Sequence, residues 1–189
     1  MTQKVNEVLP AVRLEPLIAA AELAANSKGA VAAEDPRLDA AAAGASAAVR
    51  RYCRWHVTPV IQETLVLDVP GRVIKLPTMH AVDVDNVKLF GYELQEHEYS
   101  WSQMGVLELH VPAEPRFRAL QLNLTHGYEE APDLKQIASK IALFALASPL
   151  GVTREQAGQV SISWGTQRGM GFAEADEVML QPYRLRIMP

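Results

Sequence analysis

Cysteine is almost missing from this chain. The single one, Cys53 among 189 residues, excludes an intrachain disulfide and, by itself, a cysteine-based zinc site. An excess of positive charge is missing too. Lys and Arg number 18 against 22 Asp and Glu, for a net charge of −4 and a pI near 5.7, so a basic nucleic-acid-binding module is not the default reading. No apolar run approaches the ~20 residues that a membrane span requires. The opening MTQKVNEVLP lacks the basic-then-apolar layout of a signal peptide. Walker loop, dinucleotide glycine fingerprint, nucleophile elbow and HExxH are all absent. The composition leads us to expect a soluble intracellular protein.

What is present is best marked at residues 132–148, PDLKQIASKIALFALAS. Pro132 suits a first helical turn, and Asp133 there complements the positive helix end. Leu134, Ile137, Ala138, Ile141, Phe144 and Ala145 follow helical spacing and form one apolar stripe. Lys135, Gln136, Ser139 and Lys140 fall off it. Leu143 and Leu146 add apolar surface on other sides, so more than one neighbour is expected to want the second half. Pro149 and Gly151 stop the helix.

Ahead of it, residues 1–15 carry no strong pattern and suggest an adaptable N-terminus. Residues 16–26 suit a short helix that buries Leu17, Ile18, Ala21 and Ala25. A better marked helix follows Asp35 and Pro36, with Leu38, Ala42, Ala45, Val49 and Tyr52 as a stripe of mostly small residues. Arg50, Arg51 and Arg54 gather at its C-terminal end, where the helix dipole favours cations. After Pro59 the period changes to alternation. Residues 60–69, 73–76, 81–89 and 106–111 read as strands, as does the stretch in which His97, Tyr99 and Trp101 share a face. The 81–89 run shifts phase at Asn86, the mark of a bulge. Leu120, Leu122 and Leu124 alternate with Gln121, Asn123 and Thr125 in the cleanest half-buried strand. Short turns between these runs imply an antiparallel sheet or small sandwich. Beyond Gly151, the capping-box spacing at residues 153–156 predicts a helical turn, 160–164 a strand, and 173–180 a last short helix.

Candidate chemistry is thin. His80, Asp83 and Asp85 come closest to a metal cluster, but strand alternation turns His80 away from the two aspartates. His56 and His126 stand at element boundaries, where a histidine usually satisfies backbone groups. The arginines near Cys53 would favour its thiolate, yet it has no partner base and reads as a packing residue. Trp55, Tyr99 and Trp101 lack a basic groove and read as core. The glycine-rich WGTQRGMG, residues 164–171, lacks the strand–loop–helix frame of a phosphate cradle.

Three features share an order and spacing: a helix ending VRRYCRWHV, then LNLTHGYEEAPDLKQIASKIAL, then REQAGQVSISWG followed by AEADEVMLQPYRL. Over roughly residues 35–185 this resembles the head-to-tail adaptor (head completion, or connector) proteins of long-tailed phages and prophages, especially those of actinobacterial hosts. The resemblance implies a non-enzymatic virion protein with no metal or cofactor. Such subunits form a ring, typically dodecameric, under the portal protein. The ring extends the channel that genomic DNA transits and offers a platform to the next neck component, the stopper or head-closure protein. Its place is the virion neck, and the host cytoplasm during assembly. Mild acidity suits such a channel, because a strongly basic lining would hold DNA through its phosphates. Another neck protein (stopper or tail terminator) and a small-ligand-binding β-rich protein are the alternatives.

The fold class expected is α+β: a small helical bundle with a β-rich antiparallel insertion between helices and an extended C-terminal tail. The parts expected are a helical segment (1–58), the insertion (59–127), the core helix with its following turn (128–158) and the tail (159–189), in one composite domain. Val160, Ile162 and Trp164 alternate as in a strand that could add to another protein's edge. With Phe172, Met179, Tyr183, Arg184, Leu185 and Arg186 they make the expected portal-binding segment, since related adaptors hold their portals through C-terminal segments. Leu143 and Leu146 are the candidates for the ring interface.

Overall fold

The computed structural model describes residues 14–147, 154–157, 160–163 and 172–185, with only the backbone of the two middle stretches. Two compact units divide them. One is built on Val57–Glu129; the other takes Glu15–His56 and the described residues from Glu130 onward. Together they form the α+β, antiparallel fold expected from the periodicities.

In the helical unit, α1 (Ala20–Asn26), α2 (Leu38–Cys53), α3 (Pro132–Ala147) and α4 (Glu174–Leu180) follow one another in the chain. Small residues give α2 its close-packing face: Leu38, Ala42, Ala45, Ser46 and Val49 are buried. Ser46 Oγ accepts the Leu17 N–H at 2.8 Å and donates to the Ala42 carbonyl, which ties the lead-in of α1 to α2. α1 starts later than residue 16, so its buried residues are Leu23 and Ala24 while Ala21 and Ala25 are exposed. α3 packs against α1, α2 and α4. These neighbours bury Ser139, Ala142 and Leu146 beside Leu134, Ile137 and Ala138, and leave Ile141, Phe144 and Ala145 half-buried. Contacts with three helices, rather than the most apolar stripe, select the buried face.

The β unit holds two antiparallel sheets. β1 (Ile61–Val69), β7 (Arg116–His126), β3 (Ala81–Leu89) and β4 (Tyr92–Glu93) form one in that order; β2 (Val73–Lys75), β6 (Val106–Leu109) and β5 (Tyr99–Ser102) form the other. One core joins them. Leu120, Leu122 and Leu124 are fully buried against Leu107, Leu109, Ile74 and Val84. Each such leucine contributes ~1.5–3 kcal/mol through burial. The phase shift at Asn86 is a bulge: pairing to β7 slips between Asp85 and Lys88, and Asn86 takes φ 49°. A second irregularity lies in β7, where Arg118 has φ 52° and its N–H bonds the Asp68 carboxylate. At Gly105, φ is 75° and an added Cβ would collide with the Thr78 carbonyl. Only glycine fits that turn.

Two expectations fail locally. His97 lies in a 3-10 turn, Glu96–Glu98, ahead of β5 and not on a strand face with Tyr99 and Trp101. In place of the helical turn expected at 153–156, β8 (Arg154–Ala157) pairs antiparallel with β9 (Val160–Ser163). A four-residue capping signature stabilises only a helix that continues, whereas the hairpin gives both segments backbone partners.

Candidate functional site

The C-terminal segment docks on its own helical unit. The Phe172 ring lies 4.9 Å from Tyr52, and the Arg184 guanidinium sits over the Tyr52 face at 4.9 Å. Leu185 donates its N–H to the Cys53 carbonyl at 2.8 Å, and the Trp55 indole N–H donates to the Tyr183 carbonyl. Leu180 is fully buried. The buried Asp176 carboxylate receives Lys140 Nζ at 2.9 Å on both oxygens and accepts the Ala173 N–H. α4 is thereby fastened to α3. Of the expected portal-binding residues, Phe172, Tyr183, Arg184 and Leu185 thus serve packing within the subunit, and Met179 is 42% exposed. Val160 and Ile162 belong to the backbone-described strand β9. Trp164, Arg186, the glycine-rich 164–171 and residues 1–13 lie outside the described residues.

Cys53 is buried at the centre of this docking. Burial pushes its thiol up to about 12, Asp133 adds to the shift, and Arg184 opposes it. That environment suits packing, not nucleophilic chemistry.

Of the two ring candidates, Leu146 is buried in its own subunit. Leu143 is half-buried and lines an open groove of about 630 Å³ with Glu22, Asn26, Pro132, Lys135, Gln136, Ser139 and Lys140. A Glu22–Lys135 ion pair of 2.7 Å and an Asn26–Ser139 hydrogen bond cross it. Lys140, also in the lining, is held by Asp176 of α4.

The histidines and aspartates of the β unit have structural partners. His80 Nδ1 lies 3.0 Å from the Gly127 carbonyl, its Nε2 lies 2.9 Å from Gln103 Nε2, and its ring stacks on Tyr128. Asp85 accepts from Asn86 and Asn123, and Asp83 accepts the Val84 N–H. His126 is buried with Nε2 3.0 Å from Glu63, and burial lowers its pKa to about 4. His56 is buried edge-on to Trp55. Among the described residues, no group of three or more His, Cys, Asp or Glu is placed to hold a metal ion, and no helix is long and apolar enough to cross a membrane.

The most exposed apolar surface was missed by sequence reasoning. At one end of the four-stranded sheet, Tyr92 is 78%, Phe117 85% and Phe90 36% exposed. The Phe90 N–H bonds the Ala119 carbonyl, and Arg116 lies over the Phe90 ring at 5.6 Å. Arg118 follows Phe117 in the strand and is also exposed. The signal was the run Arg116-Phe117-Arg118, an aromatic between two cations just ahead of the clean alternation that starts at Leu120.

No protein-family model matches the chain, and no curated protein does. Among solved structures, a chain described as "Neck of empty GTA particle computed with C6 symmetry" superposes with a TM-score of 0.57 at 13% identity. The match covers 94% of this chain and 95% of that one. The two share a fold from end to end.

Proposed function

We propose that this chain is a structural neck protein of a phage-like particle, and within that role a head-to-tail adaptor that forms a ring under the portal. The observation that carries the proposal is the nearly complete, two-way fold match to a neck chain of a GTA particle. The order of the three sequence features supports the same reading independently. The exposed aromatic end of the β unit suits assembly. Here Val160, Ile162, Trp164 and Arg186 stay the portal-facing proposal, because the residues from Phe172 to Leu185 are largely spent on the subunit's own packing. The β unit would meet the next neck protein.

A second reading has one observation in its favour. Sixfold symmetry in the matching particle accommodates a six-membered ring as well as a twelve-membered one, so a stopper or tail terminator competes. The test is to mix purified chain separately with DNA-filled, portal-bearing capsids and with isolated tails, and to image both. An adaptor adds a ring to the portal vertex and ignores tails. Attachment to tails alone overturns the adaptor role, and attachment to neither overturns the neck reading.

A further inference from the structure

Two exposed patches on this chain complement each other. The first is the aromatic end of the β unit, where exposed Phe117 stands between exposed Arg116 and Arg118 in the chain, Arg116 lies over the Phe90 ring, and Tyr92 is exposed on β4. The nearby carboxylates are partly engaged. Asp68 accepts the Arg118 N–H and Glu93 stands opposite Lys88, leaving Glu114 as the remaining acid beside Arg116. The second patch is α4. Val178 is 64% and Met179 42% exposed, and they are the only exposed large hydrophobics among the described residues of the helical unit. Glu174 and Glu177 are exposed and three residues apart on α4, and Glu174 lies one turn before Val178. Asp176, the third acid of α4, points inward to Lys140. One patch is thus aromatic with two arginines, and the other aliphatic with two glutamates.

We infer that these patches bind each other between copies: the Phe117 end of one subunit seats on α4 of the next, with Arg116 and Arg118 facing Glu174 and Glu177. The inference rests on the ring reading above and supplies a contact for it. A head-to-tail contact of this kind uses two different surfaces, and repetition of it closes a ring or runs on as a filament. Aromatic and arginine side chains are the types that interfaces enrich, and a central aromatic carries a large share of the binding energy.

The experiment uses the full chain and two charge-reversed forms. R116E/R118E breaks the first patch and leaves α4 intact; E174R/E177R does the converse. All four positions are exposed, and circular dichroism checks each fold. Native mass spectrometry and sedimentation over a concentration series read assembly. The parent should associate, each variant alone should associate at least about tenfold more weakly, and the two variants mixed should assemble again as alternating copies. The Glu-bearing strand end of one then meets the Arg-bearing α4 of the other, while its intact α4 meets the other's intact strand end. Growth only on mixing is the signature of this contact. Combining all four reversals in one chain should restore growth, and Phe117→Ala should weaken it without unfolding the protein. Variants that assemble like the parent, a mixture that stays monomeric, or a parent that never associates overturn this contact. The capsid-binding test above is unaffected by those outcomes and judges the neck role by itself.

Discussion

Three buried side chains set measurable expectations at the residue scale. Cys53 has its thiol pushed up to about 12 by burial, so in native protein at pH 8 a thiol reagent should react with it far more slowly than after denaturation. Equal rates would mean that the docked C-terminal segment opens readily. His126 is buried with its pKa lowered to about 4. Above pH ~6.5, histidine is neutral in both folded and unfolded states, and stability does not depend on it. As pH falls from there toward 4, the unfolded chain takes the proton first, and up to about 3 kcal/mol is lost. Below 4 both states are protonated and the loss stops. A urea-midpoint series should show this slope in the parent and a flatter one in His126→Gln. Leu124, fully buried in β7, should cost ~2–5 kcal/mol when replaced by alanine. Phe117→Ala, at the same strand's exposed end, should cost almost nothing. That contrast is the check on which face of β7 is core.

At the scale of elements, the attachment of α4 to α3 depends on one charged contact and one apolar one. Lys140 and Asp176 meet at 2.9 Å, with Asp176 buried and Lys140 half exposed. Removing the lysine leaves a buried carboxylate without its cation, so Lys140→Ala should loosen α4 by roughly 1–3 kcal/mol. Hydrogen exchange should then quicken over residues 174–185 and stay unchanged in β7. Uniform quickening in both would mean that α4 is part of one cooperative unit with the sheet. The turn at Gly105 makes a sharper case. Gly105→Ala must both adopt an unfavourable φ and displace the Thr78 carbonyl, which should lower the melting temperature more than any exposed substitution named here.

For the whole molecule, the informative change is truncation after Gly158. The residues removed include Leu180, which is fully buried, and the segment that bonds Trp55 and Cys53. We expect the truncated chain to have a less stable helical unit, with Trp55 fluorescence shifted to the red. A truncated chain that keeps its melting behaviour and loses capsid attachment would instead make this segment mainly an anchor. The structure weights the first, because side chains on α2 and α3 already occupy Phe172, Asp176 and Arg184.

Local pattern by itself determined the helices α2, α3 and α4, the longer strands of the β unit and the bulge at Asn86, but not the two-residue strand β4. In each, the information lies within a few residues: a proline at a first turn, a period of 3.6 or 2, a phase slip. Leu120, Leu122 and Leu124 were legible as core for the same reason. Only the tertiary structure decided what required residues far apart in the chain. Ser139 and Ala142 are buried because three helices surround α3. Residues 154–157 form a strand because a second one pairs with them. Phe172 and Arg184 meet Tyr52 across more than 100 positions. No periodicity encodes such partners. A side chain's role at the surface or in the core depends on which distant segment arrives to cover it, and that is settled by the packing of the whole chain.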